Sequence, residues 1–259
     1  MNLQAKTALV TGASRGIGRA IALELALSGL QRLIVVARNQ ENLVQLAQEI
    51  AQLNANIEVV VLPLDLTQPV MVNTAIAKTW RDHGPIHLLV NCAGVAHQSS
   101  FLESRFPEVY QEISLNLLGL YTITRCVARR MVSHKEGTIV NVSSLMGKVA
   151  APTMATYSAT KFAILGFSQA LRSELAAHNI RVVTLLPTLT DTDMVKELKR
   201  FRWVRAMTPK RVATTFMRGL QQGKTEILVG WQSHLAVWCQ RLAPWLMDQI
   251  LAFSAPQSV

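Results

Sequence analysis

Thr11-Gly12-Ala13-Ser14-Arg15-Gly16-Ile17-Gly18 follows the first apolar, β-branched run of the chain and overlaps the start of a helical pattern. Among its glycines, Gly12 permits the turn, Gly16 lets a ligand approach the backbone, and Gly18 allows close packing of the helix. The backbone amides of such a turn converge at the positive end of a helix dipole, where a pyrophosphate fits. The stretch therefore predicts a dinucleotide-binding strand-turn-helix unit.

The rest of the chain repeats this alternation of short apolar runs with longer amphipathic patterns. The runs predict strands over 7–10, 33–37, 57–62, 86–91, 138–142, 181–186 and 226–229. Helices are predicted near 17–28, 41–53, 70–82, 107–134, 155–177 and 210–222. Because strands that are apolar on both faces and joined by helices form parallel sheets, we expect an α/β fold: a doubly wound, Rossmann-type parallel seven-stranded sheet with helices on both faces. We assign residues 1–230 to this single catalytic domain.

Residues 231–259 follow the last predicted strand as a C-terminal amphipathic extension. Its apolar side chains have near-helical spacing, and Pro244 is expected to break the helix in two. Arg241 and Asp248 interrupt any apolar run long enough to span a bilayer. Two interpretations remain open: the extension packs on the domain or on a second subunit, or it contacts a membrane surface or a lipid substrate.

Composition and charge narrow the class of protein. Half of the residues are hydrophobic and 16% are charged, which indicates a large core. The net charge is +10, and residues 196–211 carry seven basic residues and one acidic residue, Glu197. No aromatic-basic platform or recognition motif accompanies this charge, so we expect no nucleic-acid partner.

The three cysteines, Cys92, Cys126 and Cys239, fit neither a disulfide framework nor a metal site, and no secretion signal is apparent. We therefore expect no metal and a cytoplasmic location, with membrane association through residues 231–259 left open.

The end of the second predicted strand indicates which dinucleotide binds. An NAD-binding site would offer a carboxylate to the ribose 2′-hydroxyl there, but this chain has Ala37 and then Arg38. Arg38, together with Arg15, can form charge-assisted hydrogen bonds to a 2′-phosphate. The sequence therefore predicts NADP(H) as the cofactor.

Three polar residues are expected to meet beyond the fifth strand. Ser144 follows that strand, and Tyr157 and Lys161 lie four residues apart on one face of the next helix. Hydride transfer to a ketone leaves an alkoxide, so the site must supply a proton. Tyr157 can donate it, and we expect the Lys161 ammonium to lower the pKa of Tyr157 while Ser144 orients the carbonyl oxygen.

Together these motifs resemble the short-chain dehydrogenase/reductase family, in its single-domain branch of about 250 residues. The resemblance spans most of the chain and includes the glycine loop, Asp65, residues 91–94, Asn116, Ser144, the Tyr157/Lys161 pair and residues 187–194. It implies that Asn116 holds a water linking Lys161 to solvent, that Lys161 also binds the nicotinamide ribose, and that Thr192 meets the carboxamide. The expected catalytic set is Asn116, Ser144, Tyr157 and Lys161. The expected cofactor-binding set is Gly12, Ser14, Arg15, Gly16, Ile17, Gly18, Arg38, Asp65, Leu66, Asn91, Ala93, Gly94, Tyr157, Lys161, Pro187, Thr190 and Thr192.

Two features of this chain depart from the family pattern. Thr188 stands where glycine is common, and the chain continues past the point where many members end in a subunit-pairing strand. A homodimer or a homotetramer is therefore expected, without a choice between them.

A substrate lid is predicted at about 193–209, where apolar residues alternate with basic ones. The apolar residues are Val195, Leu198, Phe201, Trp203, Val204 and Met207. We expect Ser144, Tyr157, Met146 and Thr188 to contact the substrate.

These features predict an NADP(H)-dependent oxidoreductase that interconverts a ketone or aldehyde and an alcohol. The apolar lid favours reduction of a lipophilic carbonyl compound, such as a 3-oxoacyl, steroid-like or other hydrophobic ketone. The alternative is a non-catalytic NADP-binding sensor, or a membrane-recruited interaction protein, on the same fold. The complete catalytic set favours the enzyme.

Overall fold

The computed structural model describes residues 2–196, 198–202 and 204–256, and in this part of the chain seven parallel strands form one sheet. The strands are β1 (Thr7–Thr11), β2 (Arg32–Ala37), β3 (Glu58–Pro63), β4 (Leu88–Asn91), β5 (Gly137–Val142), β6 (Ile180–Leu186) and β7 (Glu226–Leu228). Their order is β3-β2-β1-β4-β5-β6-β7. The predicted fold class is confirmed, and each strand lies within two residues of its predicted bounds.

Helices cover both faces of the sheet. They are α1 (Gly16–Ala26), α2 (Gln40–Leu53), α3 (Pro69–His83), α4 (Phe106–Glu112), α5 (Leu120–His134), α6 (Ala155–Ala176), α7 (Asp193–Lys196), α8 (Pro209–Gln221), α9 (Trp231–Leu242) and α10 (Pro244–Ser254). One apolar layer includes Ile21 and Phe216 from α1 and α8, and the other includes Ile76 and Val127 from α3 and α5. Strand order reverses between β1 and β4, so the carboxyl edge there is where such sheets bind ligands.

The predicted helix over 107–134 differs from the observed one. Residues Ile113–Gly119 form a π-helical segment between α4 and α5. Gly119 has a close neighbour there, because a Cβ atom on it would lie 3.1 Å from the Leu66 carbonyl oxygen. The wider turn places Asn116 inside the protein, and π segments of this kind often occur at functional sites.

The C-terminal extension forms two helices, as predicted, and the break falls at Pro244. Within the described ranges, no helix combines the length and the apolar character that crossing a bilayer requires. The main-chain amide of Arg202 donates to the Ser254 carbonyl (2.9 Å), so the end of α10 contacts the segment that follows α7.

Candidate active site

The glycine loop and the turn after β4 are locked together. Thr11 Oγ1 accepts hydrogen bonds from the amides of Cys92 (3.0 Å) and Ala93 (3.1 Å). Gly12 has a φ of +66°, and a Cβ atom on it would lie 2.8 Å from Ala93 Cα. Gly18 is packed as tightly, since its Cβ would lie 2.2 Å from the Gly12 oxygen. Only glycine fits these positions, and the resulting cradle of amides at the start of α1 suits a pyrophosphate.

The residues expected at the adenosine end lie along the same sheet edge. The Ala13 amide donates to the Val36 carbonyl (3.2 Å), which brings the glycine loop to the end of β2. The side chains of Arg15 and Arg38 are exposed there, and Ser14 is half-buried in the loop. Asp65 Oδ1 accepts from the amide (2.9 Å) and the hydroxyl (2.8 Å) of the same residue, Thr67. Two exposed arginines therefore lie at the sheet edge where a 2′-phosphate is expected to bind.

The Asn91 side chain is buried and hydrogen-bonded within the protein. Its side-chain nitrogen donates to Thr124 Oγ1 and to Asn141 Oδ1, both at 2.8 Å. The Asn91 side chain therefore ties β4 to β5 and α5 within the core. Its contact with the cofactor stays a prediction.

Ser144, Tyr157 and Lys161 meet at the carboxyl end of β5. Ser144 begins the short turn Leu145–Gly147, accepts from the Met146 amide (3.1 Å), and is hydrogen-bonded to Tyr157. Lys161 Nζ donates to the Val142 carbonyl (3.2 Å) and lies 5.4 Å from the centre of the Tyr157 ring. The structure therefore brings together the three polar groups that the sequence predicts.

The ionisation of this group differs from the expectation. Burial raises the pKa of Tyr157 to about 12, against the opposing effect of the Ser144 hydrogen bond. Burial also lowers the pKa of Lys161 to about 8. The prediction that Lys161 lowers the pKa of Tyr157 is wrong for this structure, because burial raises that pKa and Lys161, whose pKa is lower, has already lost its charge at the pH where the tyrosine ionises. At neutral pH the tyrosine holds its proton and the lysine is charged.

Asn116 clamps the chain that follows β4. Its Oδ1 accepts from the Val95 amide (2.9 Å), while its Nδ2 donates to the Val95 carbonyl (2.9 Å) and to Thr160 Oγ1 (3.2 Å). A Cβ atom on Gly94 would lie 3.1 Å from Asn116 Oδ1 and 3.6 Å from Lys161 Nζ, so both side chains border Gly94. The contact of Asn116 with a water stays a prediction.

Sequence reasoning missed Glu112, the last residue of α4. Its buried carboxylate accepts from the His97 amide at 2.6 Å, and burial raises its pKa. Glu112 and Asn116 together fix the segment after β4 at two points. No motif marks this glutamate, since its partner is fifteen residues away in a loop.

A cavity of about 680 Å³ opens in front of Tyr157. Of the expected cofactor residues, it is lined by Ile17, Gly94, Tyr157, Lys161, Pro187, Thr190 and Thr192. Of the expected substrate residues, Ser144, Met146 and Thr188 line it with Tyr157. Sequence reasoning missed the far wall, where α9 and α10 contribute Leu235, Met247, Ile250 and Leu251. The apolar stripe of the extension was visible in the sequence, but not the surface on which it packs.

The predicted lid consists of α7 and the loop that follows it, and hydrogen bonds close its base. The Asp191 amide donates to the Met207 carbonyl (2.8 Å), and the Met207 amide donates to the Leu189 carbonyl (2.9 Å). Between these ends, Val195, Leu198, Phe201 and Val204 line the cavity. Glu197 and Trp203 lie outside the described residues. Part of the local charge is paired, since Lys196 contacts Asp193 (2.7 Å) and Arg200 lies 3.7 Å from Asp191.

Comparison with known proteins decides the family. Residues 6–203 match the family model described as short chain dehydrogenase. The chain belongs to the short-chain dehydrogenase/reductase family. It is therefore an oxidoreductase that acts on a small-molecule carbonyl or alcohol substrate.

Similar proteins in this family cover most of the chain. The 3-oxoacyl-[acyl-carrier-protein] reductase FabG of Escherichia coli is 32% identical over 198 residues, which cover 76% of this chain and 79% of the relative. A short-chain dehydrogenase from Sphingobium yanoikuyae, solved in complex with NADPH, has a TM-score of 0.81 at 29% identity and 98% coverage of both chains. The bulky-bulky ketone specific alcohol dehydrogenase from Comamonas testosteroni has a TM-score of 0.79 at 26% identity, over all of this chain and 97% of the other. The two structural matches extend over α9 and α10, whereas the bacterial reductase aligns with about three quarters of the chain.

Proposed function

We propose that this oxidoreductase reduces a bulky, lipophilic ketone with NADPH. The observation that carries the proposal is the cavity, which runs from Ser144 and Tyr157 to a wall of apolar side chains on the lid and on α9 and α10. Such a wall excludes water and favours an apolar substrate over a sugar. The similarity to a 3-oxoacyl reductase and to an enzyme named for bulky ketones supports the same substrate class.

NADP(H) is the cofactor that suits the residues present. The glycine loop would hold the pyrophosphate, Arg15 and Arg38 the 2′-phosphate, and Thr190 and Thr192 the nicotinamide end. The similarity to a protein solved with NADPH supports this choice. When bound, the cofactor supplies the hydride for the carbonyl carbon. No carboxylate stands after Ala37 to repel the 2′-phosphate.

The chain's own residues supply the proton and stabilise the charge. Tyr157 has a pKa raised to about 12 and therefore carries a proton to donate to the carbonyl oxygen. Ser144 orients that oxygen by a hydrogen bond. The Lys161 ammonium, 5.4 Å from the tyrosine ring, stabilises the phenolate that proton donation leaves. Asn116 holds Gly94 and Val95 in place beside the lysine.

NADPH oxidation with a panel of ketones tests the proposal. We expect long-chain 3-oxoacyl or bicyclic ketones to have the highest kcat/KM, and Tyr157→Phe to lower kcat by about 10²–10⁴. Tyr110→Phe, on the exposed face of α4, serves as the control and should leave the rate unchanged. Best turnover of small polar ketones would contradict the substrate class. Turnover by no ketone, with NADPH bound, would favour a sensor.

We also propose that the outer face of α9 and α10 contacts an anionic lipid surface from the cytoplasmic side. Trp238, Leu242, Trp245 and Phe253 are each more than 60% exposed on this face. The basic segment that includes Arg202 adjoins it, because the Arg202 amide is bonded to the end of α10. Tryptophan beside cationic residues is typical of helices that lie at a membrane interface. A lipophilic substrate could then enter the cavity from the lipid.

Vesicle co-sedimentation tests the lipid contact. Binding should be strong with phosphatidylglycerol, weak with phosphatidylcholine alone, and lost in the double variant Trp238→Gln/Trp245→Gln. The matched control is Val70→Gln/Met71→Gln, which alters two exposed apolar residues of α3. Absence of vesicle binding, or a face that is covered by self-association in sedimentation velocity, would overturn the contact.

A homodimer or a homotetramer is the assembly that we propose. Exposed apolar side chains on α4, α5 and α6, among them Phe106, Tyr121 and Phe162, support it. Sedimentation velocity at micromolar concentration measures the mass directly. A monomer would contradict this assembly.

A further inference from the structure

Gln98 bonds the lid segment 198–202 to the segment that follows β4. Gln98 Oε1 accepts from the Lys199 amide (2.7 Å), and Gln98 Nε2 donates to the Lys199 carbonyl (3.2 Å). A carboxamide that pairs with both main-chain groups of one residue fixes that residue's position in two directions. The two residues are 101 positions apart, so this contact joins the segment after β4 to the lid segment 198–202.

The same carboxamide also reaches the turn before the catalytic helix. Gln98 Nε2 donates to Thr153 Oγ1 (3.1 Å), and the Ser99 amide donates to the Thr153 carbonyl (3.0 Å). Thr153 has a φ of +63°, which is rare for a β-branched residue and needs support from its surroundings. Because Thr153 lies four residues before Tyr157, Gln98 connects the lid to the start of α6.

The segment that carries Gln98 is itself well anchored. Asn116 holds Val95 through both of its main-chain groups, and Glu112 holds the His97 amide. Gln98 is half-buried and lines the cavity, as do Leu198 and Phe201 of the lid. Gln98, on an anchored segment, is therefore bonded to Lys199, an exposed residue of the lid.

We propose that Gln98 is a specificity-determining latch that holds segment 198–202 over the cavity. It strengthens the binding of substrates long enough to reach Leu198 and Phe201. It leaves the chemistry at Tyr157 unchanged, because among the described residues the Gln98 side chain bonds to Lys199 and Thr153 and to no catalytic side chain. This role rests on the proposed function only in that the long substrates are lipophilic ketones.

Three variants test the latch. Gln98→Leu removes all three side-chain hydrogen bonds at similar volume, and Gln98→Glu keeps an acceptor for the Lys199 amide but has no hydrogen to donate. Gln45→Leu makes the same change on the exposed face of α2 and serves as the control. Hydrogen exchange of peptides covering residues 198–202 is measured on each protein loaded with NADPH.

Exchange at residues 198–202 should rise about tenfold in Gln98→Leu, less in Gln98→Glu, and not at all in Gln45→Leu. The KM for a long 3-oxoacyl ketone should rise about fivefold to tenfold in Gln98→Leu, with little change in kcat. A short diketone should be turned over as by the wild type.

Unchanged exchange in Gln98→Leu would overturn the latch, as would an equal loss of kcat/KM for long and short ketones, which would indicate a purely structural role. If the wild type reduces no ketone, the proposed function fails, whereas the exchange experiment still decides whether Gln98 holds the lid.

Discussion

Lys161→Met is expected to make the cofactor-free protein more stable at neutral pH while it abolishes activity. Lys161 is only 5% exposed, and its ammonium donates to the Val142 carbonyl at 3.2 Å. Methionine retains most of the apolar stem and removes the charge. The variant therefore separates the effect of the buried charge on stability from its effect on catalysis.

The magnitude follows from the ionisation of the lysine. Burial lowers the pKa of Lys161 from 10.5 to about 8. At about 1.4 kcal/mol per pH unit, this corresponds to roughly 3 kcal/mol of destabilisation by the buried charge at pH 7. Loss of the hydrogen bond to Val142 and of the contact with the Tyr157 ring offsets about 1–2 kcal/mol of the gain. The net gain of about 1–2 kcal/mol should raise the Tm by roughly 2–8 °C in a chain of this size.

The dependence on pH has a definite sign. Between pH 8 and 10.5 the unfolded wild type keeps the proton on Lys161 and the folded wild type loses it. The unfolded state then binds more protons, so this lysine makes the wild type more stable as the pH rises through that window. The methionine variant lacks this rise. Its advantage should be largest at pH 7 and should shrink toward pH 9.5.

Calorimetry or urea denaturation at pH 7.0, 8.5 and 9.5 measures the difference in the free energy of unfolding between variant and wild type. Lys78→Met, on the exposed face of α3, is the control and should show no such trend. A Lys161→Met protein that is less stable than the wild type at pH 7, with a gap that does not change with pH, would refute the reasoning.

Three other substitutions probe the predicted cofactor site and one helix. Arg38→Asp should raise the KM for NADPH by about 10- to 100-fold and lower the KM for NADH, as steady-state kinetics would show, because a carboxylate repels the 2′-phosphate. Gly18→Ala should abolish NADPH binding, measured by fluorescence titration, since its Cβ would lie 2.2 Å from the Gly12 oxygen. Gly166→Ala places its Cβ in open space on α6 and should raise the Tm, as helix propensity favours alanine by about 1 kcal/mol.

The parts of the molecule that could be predicted depend on short stretches of sequence. The strands are apolar runs bounded by turns, and the glycine loop needs only its own backbone geometry. Tyr157 and Lys161 share a face because they lie four residues apart on a helix. Ser144 follows directly from the end of β5. For such features, local pattern and fold class together place the residue.

The parts that could not be predicted depend on contacts between distant segments. The Gln98–Lys199 pair spans 101 residues, and the burial that raises the pKa of Tyr157 depends on how distant segments pack around it. The π-helical segment also has no local cause, since Gly119 packs on Leu66 from another part of the chain. Whether residues 231–259 are a separate unit from 1–230 stays a prediction, although α9 and α10 line the same cavity as the catalytic residues.

Side chains on the two walls of the cavity differ in how tightly they are packed. This difference determines where substitutions can change substrate specificity. Lys161 and Asn116 are buried and bonded to the main chain of the sheet edge, so substitutions there disturb the core. On α9 and α10, by contrast, few side chains are buried, and Leu235 lines the cavity while 62% exposed. A side chain with so little packing can change size at little cost to stability. Substitutions on α9 and α10 can therefore change the substrate preference while the wall that carries Tyr157 stays intact.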